Sequence, residues 1–82
     1  MLNKQIVSTI FDDGDGVLVD LETKRYYQLN ETAMIVWDGL ERGSSVAEIA
    51  EKFTSIFDVQ PEHAVNSVER ILSKFQSLKL TD

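Results

Sequence analysis

Hydrophobic spacing along this chain changes once, at Asn30 within RYYQLNETAMIVW (residues 25–37), and that change dictates the order of its elements. Before Asn30, Val17, Val19 and Leu21 alternate with Leu18, Asp20 and Glu22, and Tyr27 and Leu29 with Tyr26 and Gln28, the period of two that belongs to strands. After it, Ala33, Val36, Trp37 and Leu40 recur three and four apart and line one stripe of a helix. Asn30 suits the junction because its short side chain can accept hydrogen bonds from the first free backbone N–H groups of a helix, and Glu31 stands on the positive end of that helix's dipole. Strands collected on one side of a junction and helices on the other make an α+β domain.

The strand half resolves into three pieces. IVSTIFD (residues 6–12) is β-branched and aromatic, DDGDG supplies turn chemistry, and VLVDLE (17–22) returns as the second arm of a hairpin. ETK is a second turn and RYYQL (25–29) a third strand, so the spacing predicts an antiparallel meander with the third strand at an edge. In the helical half, helix one is expected over 31–42, closed by a left-handed Gly43. Helix two, over 46–56, opens with Ser45 and Glu48 as a capping box, and Val46, Ile49, Ala50, Phe53 and Phe57 mark its apolar face. Helix three, over 61–77, accepts Pro61 in its first turn, and Ala64, Val65, Val68, Ile71, Leu72 and Phe75 trace its apolar stripe. The order is βββααα, a winged helix-turn-helix arrangement with the wing first, in a single domain over residues 1–82. Gly39 interrupts helix one and has two readings, close backbone packing or an early helix end.

Function classes fall away one by one. The chain has no cysteine, which excludes disulfide frameworks, thiolate metal sites and cysteine nucleophiles. A calcium loop beginning at Asp13 would need an oxygen ligand at Val17, glycine at Leu18 and glutamate at Lys24, so DGDG reads as a hairpin turn. His63 has no nucleophile or second histidine to work with and reads as a solvated surface residue, and Trp37 reads as a core anchor. No phosphate-cradling loop or dinucleotide fingerprint is present, so neither an enzyme nor a cofactor is expected. Net charge is −6, and five of the acids, Asp12, Asp13, Asp15, Asp20 and Glu22, lie within eleven residues. That sign opposes nucleic acid, and from 61 to 80 Arg70, Lys74 and Lys79 are offset by Glu62 and Glu69. The longest apolar run, AMIVW, is too short for a membrane span, which makes a soluble, cytoplasmic chain the expectation.

The edge strand RYYQL survives this pruning. It carries two tyrosines and no proline, whereas exposed edges are usually blunted by charge, proline or cover. Two readings stay open: an ordinary half-buried edge covered by helix three, or a dock where an extended peptide adds a fourth strand. Which residues would bond that peptide is open as well, either Tyr26 and Gln28 or Arg25, Tyr27 and Leu29.

In order and spacing, LVDL (18–21), RYYQLNETA (25–33), IVW (35–37) and FDVQPE (57–62) resemble the PqqD-like family, the RiPP recognition elements, over roughly residues 10 to 80. The resemblance implies a non-catalytic adaptor that binds the leader segment of a ribosomally made precursor peptide and presents it to a modifying enzyme. Radical SAM proteins, leader peptidases and cyclases are the partner enzymes it implies, in pyrroloquinoline quinone or lasso-peptide synthesis. It also implies a groove built from Arg25, Tyr26, Tyr27, Gln28 and Leu29, with Ser67, Arg70, Ile71 and Lys74 opposite. One departure is Lys79, which stands where family members commonly carry a glycine before the final leucine and puts the C-terminal turn in doubt. Two other functions compete, a DNA-binding winged helix and a regulatory or substrate-carrier subunit of the same pathways. A weak homodimer through residues 25–29 is a further expectation, because a free edge can pair with its own copy.

Overall fold

A computed structural model describes residues 5–81. Three short strands, β1 (Ile6–Ile10), β2 (Gly16–Asp20) and β3 (Arg25–Leu29), precede three helices, α1 (Glu31–Glu41), α2 (Val46–Phe57) and α3 (Pro61–Ser77). The strands form one antiparallel sheet in the order β1-β2-β3. Ile6 pairs with Asp20 and Ile10 with Gly16 across the first interface, Gly16 with Leu29 and Asp20 with Arg25 across the second. The expected element order is therefore observed.

Two strand ends differ from expectation, and local hydrogen bonds explain both. β1 stops at Ile10 rather than residue 12, because the Phe11 carbonyl accepts Gly14 N–H at 3.0 Å and commits the chain to the turn. There Gly14 takes φ +94° and the Asp13 carboxylate accepts Asp15 N–H at 3.0 Å, so DGDG is a hairpin turn. β2 stops at Asp20, a carboxylate only 7% exposed. Its Oδ1 accepts Glu22 N–H and Thr23 N–H at 2.9 and 3.3 Å while its carbonyl accepts Lys24 N–H at 2.8 Å, which satisfies a buried charge with main-chain donors.

The helices form one layer against the Leu18 side of the sheet. Leu18, Val36, Trp37, Phe53, Val68, Phe75 and Leu80 make the buried core, and the Trp37 and Phe75 rings meet edge to face at 5.4 Å. Gly39 is buried beneath α2: a Cβ there would lie 2.6 Å from Ile49 Cγ1, so the glycine serves close helix packing. Both expected caps form, with Asn30 Oδ1 accepting Ala33 N–H at 3.0 Å, and Ser45 and Glu48 bonding reciprocally at 2.8 and 3.2 Å. The bond from Ser45 N–H holds the Glu48 carboxyl below its ordinary pKa.

The C-terminal turn forms despite Lys79. Lys79 adopts φ +61°, its N–H donates to Gln76 O and Leu80 N–H donates to Phe75 O, each at 3.0 Å. This paired pattern closes a helix and places an apolar residue back on its last turn. Leu80 is fully buried as a result, a core residue that helical spacing did not reveal.

Removing the side chain at Lys79 relieves left-handed strain, so Lys79→Gly should raise unfolding free energy by about 1 kcal/mol. Gly39→Ala drives a methyl into Ile49 and should lower it by about 1–3 kcal/mol. Urea unfolding followed by tryptophan fluorescence measures both, and equal midpoints for the two variants would contradict this account of the helix ends and packing.

Candidate functional site

Two backbone hydrogen bonds at the ends of the first hairpin decide which residues of β3 face outward. Leu21 N–H donates to Gln5 O at 2.9 Å and Phe11 N–H to Asp15 O at 2.7 Å. Bonded pairs alternate along an antiparallel ladder, so Val7 with Val19 and Thr9 with Val17 are the bonded pairs between them. Val17 and Val19 thus turn their main-chain groups toward β1. Gly16, Leu18 and Asp20 turn theirs toward β3, onto Leu29, Tyr27 and Arg25. Tyr26 and Gln28 remain, with N–H and C=O directed out of the sheet. Side chains divide by the same alternation: Tyr27 and Leu29 are half-buried against the core, whereas Gln28 is exposed and Tyr26 is 73% exposed.

The free edge stops at Asn30. Its carbonyl accepts Met34 N–H at 3.0 Å and its side chain holds Ala33 N–H and the Thr32 hydroxyl, so α1 begins at once and its first turn closes the end of the edge. Across from β3 stands α3, and between them lies a hollow of about 350 Å³. Tyr27, Gln28 and Leu29 line one side, Ile71, Lys74, Phe75 and Leu78 the other, and Asn30, Thr32 and Ala33 the end. Thr32 and Ile71 also border a second hollow of about 370 Å³ between α2 and α3, with Phe53, Phe57 and Val59 on its apolar side and His63, Ser67 and Arg70 on its polar side. The two hollows share these residues and form one trough along α3.

Of the nine residues expected at the site, Tyr27, Gln28, Leu29, Ile71 and Lys74 meet in the first hollow, and Ser67, Arg70 and Ile71 in the second. Arg25 and Tyr26 line neither: Arg25 closes the β2–β3 hairpin opposite Asp20, and the Tyr26 side chain lies on the far face of the sheet. Thr32 and Ala33 were missed as site residues, although the Asn30 cap in sequence already puts the first helical turn beside the strand end. Phe53, Phe57 and Val59 carried no such signal, because their stripe reads as core. His63 is exposed, as its sequence setting suggested, yet borders the second hollow.

Neither hollow is lined by a carboxylate, although the chain has fourteen Asp and Glu residues; the charges present are Lys74 and Arg70. The trough therefore offers main-chain donors and acceptors along one wall, an apolar floor and two cations. That combination suits an extended peptide.

Comparison with known proteins gives the family and the fold. Residues 15–80 match the family model of coenzyme PQQ synthesis protein D, PqqD. No curated protein matches the chain. Among solved structures it is similar to TbiB1 in complex with the TbiA(beta) leader peptide, at 24% identity and a TM-score of 0.85, covering 96% of this chain and 91% of that one. It is also similar to lasso peptide synthetase B1 complexed with the leader peptide, at 28% identity and a TM-score of 0.81, covering 94% and 89%.

The edge assignment makes a folding prediction that needs no ligand. Proline removes a donor that the fold does not use at Gln28 and one that pairs with β2 at Tyr27. Gln28→Pro should unfold within about 1 kcal/mol of wild type, whereas Tyr27→Pro should lose about 3 kcal/mol or more. The opposite ranking in chemical denaturation would reverse the parity.

Proposed function

The chain belongs to the PqqD family, and from that membership we propose that it binds the leader segment of a ribosomally made precursor peptide as a fourth strand on β3. In this reading it is a non-catalytic adaptor that hands the peptide to a modifying enzyme, a radical SAM protein, leader peptidase or cyclase. The observation that carries the proposal is the pair of outward-facing main-chain residues, Tyr26 and Gln28, beside a trough without carboxylates. The leader peptides held by the two similar solved structures support the choice of ligand.

Energetics assign distinct roles to the edge and the hollows. Tyr26 and Gln28 together offer four main-chain groups, and at about 1 kcal/mol net per hydrogen bond they supply about 4 kcal/mol. Micromolar affinity requires about 8 kcal/mol after the cost of ordering the peptide. Apolar side chains entering the hollows must supply the remainder, at about 1.5–3 kcal/mol for each one fully buried. Tyr27, Leu29, Ile71 and Phe75 form the first receptor and Lys74 and Arg70 favour carboxylates on the peptide. The same free edge would let two copies pair with each other, in competition with the peptide. Nucleic acid fits less well, because the chain carries a net charge of −6.

Amide titration by NMR with synthetic precursor leaders, the TbiA(beta) leader among them, tests this reading. Shifts should cluster at residues 25–29 and 67–78, and Gln28→Pro should weaken binding about fivefold or more while the fold persists. Arg70→Glu should slow association with an acidic leader, and the difference from wild type should shrink with added salt. Shifts confined to α1 and α2, or wild-type binding by both variants, would refute strand addition.

A further inference from the structure

The face of the sheet turned away from the helices is apolar, which an antiparallel sheet with one packed face does not require. The pairing that puts Leu18 inward puts Val7, Val19 and Tyr26 in one row on the opposite face, with Thr9, Val17 and Gln28 in the next. Phe11 and Leu21 continue the alternation at its two ends. Ser8 corroborates the parity from the other side, since its hydroxyl donates to the Glu41 carboxylate of α1 at 2.9 Å. Val7, Phe11 and Leu21 are each nearly half exposed and Tyr26 is 73% exposed. All three helices pack on the Leu18 side, so among the described residues no helix covers this face.

We infer that this face docks the enzyme that receives the peptide, through an apolar patch on that enzyme bordered by lysine and arginine. This rests on the leader-binding reading above. Charge selects the occupant: Asp12, Asp13 and Asp15 gather at one end of the face and Glu22 lies near the other, ahead of Lys24, while Asp20 is turned into the core. A second copy would bring the same carboxylates against them, whereas a basic rim complements them. The face is also continuous with the edge, because Tyr26 turns its main chain to the incoming strand and its side chain to this surface. A peptide added to β3 therefore widens the face, with its alternate side chains lying beside Tyr26.

The dimensions make that widening matter. Three five-residue strands cover about 240 Å² in projection and four about 330 Å², from the usual strand spacing and rise. A stable interface takes about 800 Å² from each partner, so the sheet supplies the apolar centre of a contact and the bound peptide enlarges it. Enzyme affinity should accordingly rise when the peptide is present, and peptide affinity should rise equally when the enzyme is present.

The probes are the full chain, a radical SAM, leader-peptidase or cyclase enzyme that acts on a leader the chain binds, and a synthetic copy of that leader, with binding followed by calorimetry. Wild type should bind the enzyme at least fivefold more tightly with saturating leader. Combined Val7→Lys and Leu21→Lys should keep leader affinity within twofold and weaken enzyme binding at least tenfold. Should the double variant lose its folded amide spectrum, Val7→Thr serves in its place, with an expected loss of at least threefold. Enzyme affinity untouched by folded face variants would overturn the inference, as would a wild-type dimer in sedimentation that these substitutions dissolve, which would give the face to a second copy. A leader that fails to bind the folded wild type would instead refute the peptide reading, and the enzyme measured alone would still decide whether the face docks it.

Discussion

The edge-to-face contact between Trp37 and Phe75 holds α3 where the trough needs it. Both side chains are about 99% removed from solvent, and their rings meet at 88°. Such a pair contributes about 0.5–1.5 kcal/mol beyond the area it buries. The indole N–H finds no hydrogen-bond partner among the described residues, so packing alone holds this contact. Phe75 serves two surfaces at once: it meets Trp37 in the core and lines the first hollow beneath β3. Leu80, folded back by the turn at Lys79, completes the core at that end of α3. The distance between the two walls of the trough thus depends on core residues that do not belong to the edge.

What the sequence disclosed and what it withheld follow from the range of each interaction. Asn30, Ser45 with Glu48, and Pro61 act within one helical turn, so their letters alone located all three helix starts. The third strand was legible for the same reason, bounded by a turn before it and a cap after it. Gly39 was ambiguous because its partner, Ile49, stands on another helix. Leu80 was hidden because it lies past the end of the stripe and is returned to the core by a left-handed lysine.

The site shows the same division. The edge strand and one face of α3 could be read, but the outward parity of Tyr26 and Gln28 is fixed two strands away, by Gln5 with Leu21 and Phe11 with Asp15. The second hollow needed the packing of α2 on α3 before Phe53 and Phe57 could be seen as more than core. Charge separates along similar lines. Carboxylates crowd the first hairpin and its turns, while the charged residues of the trough are Lys74 and Arg70, so the chain presents surfaces of opposite preference a strand apart.

Asn30 ends the free edge after only two outward residues, and that brevity governs how narrowly a partner sequence is constrained. Main-chain pairing is indifferent to side-chain identity, so the pairing itself specifies an extended shape rather than a spelling. Under strand addition as proposed, only the few letters that fill the hollows are left to carry an address. An address that short can be copied from one gene to another by a handful of codon changes, and everything downstream of it can mutate freely without loss of recognition. A reader built this way permits new products to arise behind an old tag.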